Sequence, residues 1–324
     1  MASSSLPSVG IVVVGASGDL SKRKIFPSLF ELFCHGLLPR EFSVVGYARS
    51  KLSDADLLDR LRPFLEKRAV KMASAGVVGP SKAERRARLH EFCARVTYRS
   101  GQYDEAGASG FGAVRDALAA HRPILRDRLF YMAVPPSKFA ESVGALARSG
   151  AASGLPAGGE FRYVLEKPFG SGSDSCRRLL GDVDAALASG PGQKAQSQES
   201  SVFRIDHYLG KEMVRNLLTL RRENCALEAS WHRGCVAAVV VEMTEKIDCE
   251  GRAGYFDGYG IIRDLAQNHL AQILALVAMR LPREASAEAT RDAKVAALGS
   301  FVPLPRGGGG KALVAQYAGY VGAC

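Results

Sequence analysis

Val9-Gly-Ile-Val-Val-Val-Gly-Ala-Ser-Gly-Asp-Leu-Ser-Lys-Arg-Lys24 decides the fold. Its first six residues are a short, continuous apolar run rich in β-branched side chains, which is how a strand buried on both faces of a parallel sheet reads. Gly15, Ala16, Ser17, Gly18, Asp19, Leu20, Ser21 and Lys22 then turn the chain. Beyond them Phe26, Leu29, Phe30, Phe33, Leu37 and Leu38 recur at the spacing of one buried helix face. Strand, glycine turn and helix form a phosphate cradle, because glycine lets the backbone approach a pyrophosphate and the helix N-terminus offers oriented N–H groups. The spacing is G-x-x-G-D rather than G-x-G-x-x-G, so the turn also fits a tight connection in an α/β protein that binds no nucleotide.

Working outward, Phe42-Ser-Val-Val-Gly-Tyr-Ala-Arg49 reads as the second strand of a β-α-β unit, and it ends in Arg49. An acidic residue there would bind a ribose 2′-hydroxyl, whereas a cation accommodates a 2′-phosphate, so NADP is favoured over NAD. A merely solvated arginine is the alternative. Residues 52–95 carry a helical pattern, with Lys82–Arg88 as a solvated face, and Arg95–Arg99 reads as a short strand before Gln102, Tyr103 and Asp104. A helix around Phe111–His121 and a buried strand from Arg128, stopped by Pro135 and Pro136, come next, with a further helix over 137–149. The carboxyl end of such a strand borders the ligand crevice of an open α/β sheet. After a small-residue linker at 150–159, Arg162-Tyr-Val-Leu-Glu-Lys-Pro168 runs a strand into a turn, with Lys167 held before a rigid proline. That lysine is either a ligand-facing cation or a surface one.

Residues 189–201 are polar and low in complexity, which reads as a surface loop dividing residues 1–200 from 201–324. Directly after it, Phe203-Arg-Ile-Asp-His-Tyr-Leu-Gly-Lys-Glu212 packs an acid, an imidazole, a phenol and an ammonium into ten residues. If a helix begins at Leu209, His207, Tyr208 and Lys211 share one face, three donors suited to a phosphate. Cys235–Thr244 reads as a strand closed by Glu245, and 261–279 as a long amphipathic helix carrying Asp264 and His269 near its start. Taken alone, His269 at the head of an apolar helix reads as structural.

The chain has 324 residues, 47% of them hydrophobic, which is long enough for two domains with their own cores. A net charge of +10 admits a nucleic-acid partner, but the basic residues are spread along the chain and no aromatic-basic motif accompanies them, so phosphorylated small molecules fit better. Seven widely spaced cysteines without a C-x-x-C pair suggest neither a disulfide framework nor zinc, and fit a reducing, cytoplasmic setting. The N-terminus reads as too short for a signal or transit peptide, and no apolar run reaches membrane-spanning length.

Five motifs occur in order: Gly15–Leu20, Gly46–Ser50, Glu166–Gly170, Arg204–Glu212 and Gly260–His269. Together they resemble the glucose-6-phosphate dehydrogenases, and the resemblance runs from residue 9 to about residue 320. It implies an α/β Rossmann-like NADP-binding domain (1–200) followed by a partial α+β domain with an antiparallel sheet (201–324). By the same resemblance, His269 takes the proton from the C1 hydroxyl of glucose 6-phosphate, and Asp206 pairs with it. His207, Tyr208 and Lys211 hold the phosphate, Glu245 and Asp264 the sugar hydroxyls, and Lys167 both substrate and cofactor. Gly15 to Lys22, Arg49, Tyr103 and Pro135 hold NADP. Members of that family are homo-oligomers, and they continue past the stretch resembling Leu313–Tyr317. The expectation is therefore a C-terminally shortened chain whose subunit interface is incomplete. Its alternative is a non-catalytic NADP-binding or subunit-docking homologue. Arg221-Arg-Glu-Asn224 and Phe139 stand where the family usually has aromatic residues, Phe139 in place of a tyrosine near the cofactor.

Overall fold

A computed structural model of the chain describes residues 8–79, 81–104, 108–189, 199–244, 248–249, 253–302 and 315–323. Glu245, most of the polar loop at 189–201 and the Gly307–Gly310 run lie outside the described residues. The chain divides into two compact units, Met1–Ile205 and Asp206–Cys324.

The first unit is built on β1 (Ser8–Val14), α1 (Phe26–Cys34), β2 (Glu41–Ala48), α2 (Asp54–Ser74), α3 (Lys82–Cys93), β3 (Val96–Ser100), α4 (Ala108–Ala119), β4 (Asp127–Met132), α5 (Phe139–Arg148), β5 (Phe161–Leu165), α6 (Ser173–Ala188) and β6 (Val202–Arg204). The six strands form one parallel sheet in the order β3-β2-β1-β4-β5-β6. This is the doubly wound order whose reversal, between β1 and β4, opens a crevice at the carboxyl ends of the strands. Both faces are covered, which explains the continuous apolar runs: in β1, Ile11 and Val13 pack with Phe26, Phe30 and Leu57, while Val12 and Val14 pack with Phe111, Phe130 and Phe139.

Local sequence sets the helix ends. Ser53 accepts from the Asp56 N–H (3.1 Å) while the Asp56 carboxylate accepts from the Ser53 N–H (2.9 Å), and Ser81 and Glu84 repeat this capping box at the head of α3. A π-helical stretch, Ser21–Ile25, leads into α1. That helix stops at Cys34, so the regular apolar face ends at Phe33; beyond it Leu37 is solvent-exposed, while Leu38 packs against the core. The linker at 150–159 is more firmly held than its composition suggests, because the buried Arg128 guanidinium donates to the carbonyls of Ala151 and Ser153.

The second unit is helical: α7 (Glu212–Glu223), α8 (Cys225–Ser230), α9 (Ala253–Tyr259), a π-helix (Ile262–Leu270) continuing into α10 (Ala271–Ala278), α11 (Ala287–Gly299) and α12 (Tyr320–Ala323). Val214, Leu276, Met279 and Ala297 form its core. The expected antiparallel sheet is not found among the described residues. Cys235–Thr244, read as a strand, has no hydrogen-bonded neighbour strand there, and Val239 and Val240 remain exposed. A strand needs a partner ladder to satisfy its backbone, and a run of valines alone does not supply one.

Candidate active site

In the first unit a cleft of about 530 Å³ opens beyond the carboxyl ends of the strands. Gly15, Ser17 and Gly18 line it from the turn after β1; Arg49 and Ser50 follow β2, Gln102 and Tyr103 follow β3, and Ala133, Val134 and Pro135 follow β4. Gly15 has φ +92°, and a Cβ there would stand 2.2 Å from the Ala133 carbonyl oxygen. Only glycine fits, in conformation and in space. Its N–H donates to the Tyr47 carbonyl (2.7 Å) and its own carbonyl accepts from the buried Ser21 hydroxyl (2.9 Å), so strand ends and turn are tied together.

Arg49 stands 5.6 Å from the centre of the Tyr103 ring. The Tyr98 hydroxyl donates to the Ser50 carbonyl (2.6 Å) and fixes the backbone that carries Arg49, and desolvation of that buried phenol pushes its pKa up to about 12. Among the described lining residues Arg49 is the one charged side chain, and residues 49–53 after β2 include no carboxylate. A glycine turn open to an anion, a helix N-terminus behind it and an arginine where a 2′-phosphate would lie fit NADP.

Six of the expected cofactor residues therefore line this cleft: Gly15, Ser17, Gly18, Arg49, Tyr103 and Pro135. The others do not. Ala16 and Ser21 are buried supports, Asp19 pairs with Arg23 at the surface (2.8 Å), and Leu20 and Lys22 lie outside the lining. Ser50, Gln102, Ala133 and Val134 were not expected, although each directly follows a strand and the carboxyl-end rule could have found them. Lys167 follows β5, half-buried and outside the lining; the preceding Glu166 carboxylate accepts from the Tyr131 hydroxyl at 2.5 Å. Burial and that carboxylate raise the Tyr131 pKa.

In the second unit Asp206 and His269, 63 residues apart, meet: Nδ1 of His269 lies 2.6 Å from Oδ1 of Asp206. The same carboxylate oxygen accepts from the Tyr208 N–H (3.0 Å), so it is held from the chain's own turn. His269 is fully buried, and Tyr208 lies nearly parallel to its ring at 4.2 Å while His207 meets it edge-on at 4.5 Å. With Nδ1–H donated to the carboxylate, Nε2 keeps its lone pair, and that buried atom has no hydrogen-bond partner among the described residues. This is the arrangement of a general base oriented by an acid.

Helix α7 begins at Glu212 rather than Leu209; Asp206–Lys211 are consecutive turns closed by Leu209, Gly210 and Lys211 N–H groups. The turns still unite Tyr208 and Lys211, whose Nζ is 3.4 Å from the ring centre. His207 and Lys211 are exposed. Asp264 is half-buried on the π-helix five residues before His269, where the i→i+5 pattern brings both toward one side.

The family profile for the glucose-6-phosphate dehydrogenase NAD binding domain matches residues 12–216. The chain belongs to the glucose-6-phosphate dehydrogenase family. The profile for the C-terminal domain of glucose-6-phosphate dehydrogenase matches residues 218–323. The chloroplastic glucose-6-phosphate 1-dehydrogenase of Nicotiana tabacum is 42% identical over 297 residues, covering 91% of this chain and 46% of its own. A cytoplasmic one of Arabidopsis thaliana is 39% identical over 322 residues, covering 97% and 57%. A solved glucose-6-phosphate dehydrogenase in complex with its substrate glucose-6-phosphate superposes with TM-score 0.78 at 37% identity, over 94% of this chain and 58% of that one. A glucose-6-phosphate 1-dehydrogenase structure from Mycobacterium avium gives 0.70 at 30% identity, over 90% and 57%. The chain thus spans about half the length of the relatives it matches.

Proposed function

We propose that this member of the glucose-6-phosphate dehydrogenase family oxidises glucose 6-phosphate to 6-phosphogluconolactone with NADP, the first step of the oxidative pentose phosphate pathway. Residues 1–200 hold the cofactor and 201–324 carry the sugar-phosphate groups. The carrying observation is the buried Asp206–His269 pair with an unpartnered Nε2. Nε2 takes the proton of the C1 hydroxyl, Asp206 stabilises the imidazolium that forms, and the electron pair left on oxygen closes the C1 carbonyl as hydride departs. Bound NADP supplies the hydride acceptor. Gly15, Ser17 and Gly18 hold its phosphates, Arg49 its 2′-phosphate, and Tyr103 and Pro135 flank it, in a cleft whose charge and glycine geometry support that assignment.

Lys211 and His207 offer cationic or donor contacts to the sugar phosphate, with Tyr208 beside them. Asp264 and Glu245 accept from sugar hydroxyls, and Lys167 contacts both substrate and cofactor. The substrate is a free small molecule, not a nucleic acid or a membrane; among the described residues no helix is long and apolar enough to cross one. The chain acts in the cytoplasm, the compartment named for two Arabidopsis thaliana relatives. The test is NADPH formation from glucose 6-phosphate by this chain, with His269→Asn as the control. Undiminished turnover by that variant would remove His269 as the base.

A further inference from the structure

Arg221 lies outside every group assigned above, yet its buried guanidinium bonds Glu228 and the end of α10. Its side chain is 1% exposed. Nε and Nη2 grip Glu228 with two parallel bonds of 2.8 and 2.7 Å, the fork geometry that suits a guanidinium to a carboxylate. Nη1 donates to the Leu276 carbonyl at 2.8 Å. The guanidinium also stands 5.2 Å from the Trp231 ring centre, and Trp231 Nε1 donates to the Val277 carbonyl at 2.8 Å. Leu276 and Val277 are the last turn of α10, whose free carbonyls need donors. Arg221 sits in the last turn of α7.

The placement of those two helices gives the clamp its consequence. The chain enters α7 directly from Asp206–Lys211, and enters α10 directly from the π-helix that ends beyond His269. We propose that Arg221 is a positioning residue for the base: by fastening the C-terminal carbonyls of α10 to α7, it sets where the His269 imidazole stands against Asp206 and Tyr208. This rests on the reading of His269 as base. The fork to Glu228 in α8 fixes the guanidinium, so Nη1 holds the Leu276 carbonyl of α10 at one place, and the 2.6 Å pairing of His269 with Asp206 leaves little room for α10 to slide.

The experiment uses the full chain with Arg221→Met, Arg221→Lys and Glu228→Gln. The six histidines give a tractable imidazole ¹⁵N spectrum, in which His269 is identified by comparison with His269→Asn, and the single tryptophan reports through its emission whether the clamp is broken. Arg221→Met is expected to shift the His269 signals and to lower kcat by up to about a hundredfold, the scale on which a small remote displacement acts, with KM for NADP unchanged. Arg221→Lys, which keeps the charge but not the fork, should recover part of both. Should Arg221→Met fail to fold, the other two variants decide. Altered Trp231 emission with unmoved His269 signals in either of them would overturn the proposal. If the unmodified chain turns over no substrate, the functional reading fails while the His269 signals still test the clamp.

Discussion

Replacing Asp206 by asparagine removes one charge from the base and little else. The carboxylate lies 2.6 Å from Nδ1 with its side chain 14% exposed, and it is the group that balances the imidazolium formed when Nε2 takes a proton. Two unit charges about 4 Å apart attract by about 4 kcal/mol at an effective dielectric constant of about 20, which bounds the effect from above. The net value of a hydrogen bond to a charged group, about 1.5 kcal/mol at the low end, bounds it from below. At about 1.4 kcal/mol per factor of ten, kcat should fall between roughly 10-fold and 10³-fold. NADP affinity should stay constant, because the lining of the cofactor cleft runs from Gly15 to Pro135 and contains neither residue of the pair. The assays are NADPH formation at saturating substrate, cofactor titration by fluorescence, and the His269 tautomer by ¹⁵N NMR. An Asp206→Asn variant with undiminished kcat, or a wild-type His269 protonated on Nε2 at neutral pH, would refute the reasoning.

Gly15→Ala forces a side chain into φ +92° and against the Ala133 carbonyl; stability should drop by at least about 1–3 kcal/mol in chemical denaturation, and NADP binding should be lost. Arg49→Ala should weaken NADP by roughly 10-fold to 100-fold, the loss of charge-assisted bonds to a phosphate, while NAD binding is unchanged; paired titrations measure the ratio. The Tyr98 phenol is neutral where it is buried, and its pKa rises from 10.0 to about 12. Its contribution to stability is therefore complete below pH 10.0 and is lost as pH climbs through about 12. Denaturation midpoints across that window should fall, and fall less in Tyr98→Phe.

Much of the first unit was legible because its physics is local. Six successive apolar residues before a glycine turn mean a doubly covered strand, and the residue after β2 names the charge beyond it. Individual positions in the turn were less so. Leu20 and Asp19 lie in the same motif as Gly18 yet point to solvent, since a helix beginning at that turn directs its side chains around a cylinder and only part of that circle faces the cleft. The second unit resisted for a different reason. Cys235–Thr244 has the composition of a strand, but pairing is a property of two segments, and the described residues hold no neighbour strand for it. In the sequence Arg221 is a charge where the family usually has an aromatic residue; its burial depends on Glu228 and Trp231, which meet it from α8 and the turn beyond.

His269 illustrates how a local period can conceal chemistry. Read at about 3.6 residues per turn, positions 264 and 269 fall well apart around a helix, so nothing in the pattern joins Asp264 to His269. The backbone over Ile262–Leu270 instead bonds i→i+5, and this register carries residues five apart toward one side. Such stretches are less favourable than regular helix and persist where neighbouring contacts over-determine them. Here those contacts can be named: Asp206 holds Nδ1, Tyr208 covers one ring face, and beyond the π-helix the last carbonyls of α10 are held by Arg221 and Trp231. The histidine that reads as structural in isolation is thus a base candidate because distant residues hold its backbone in an uncommon register and leave one nitrogen without a partner among the described residues.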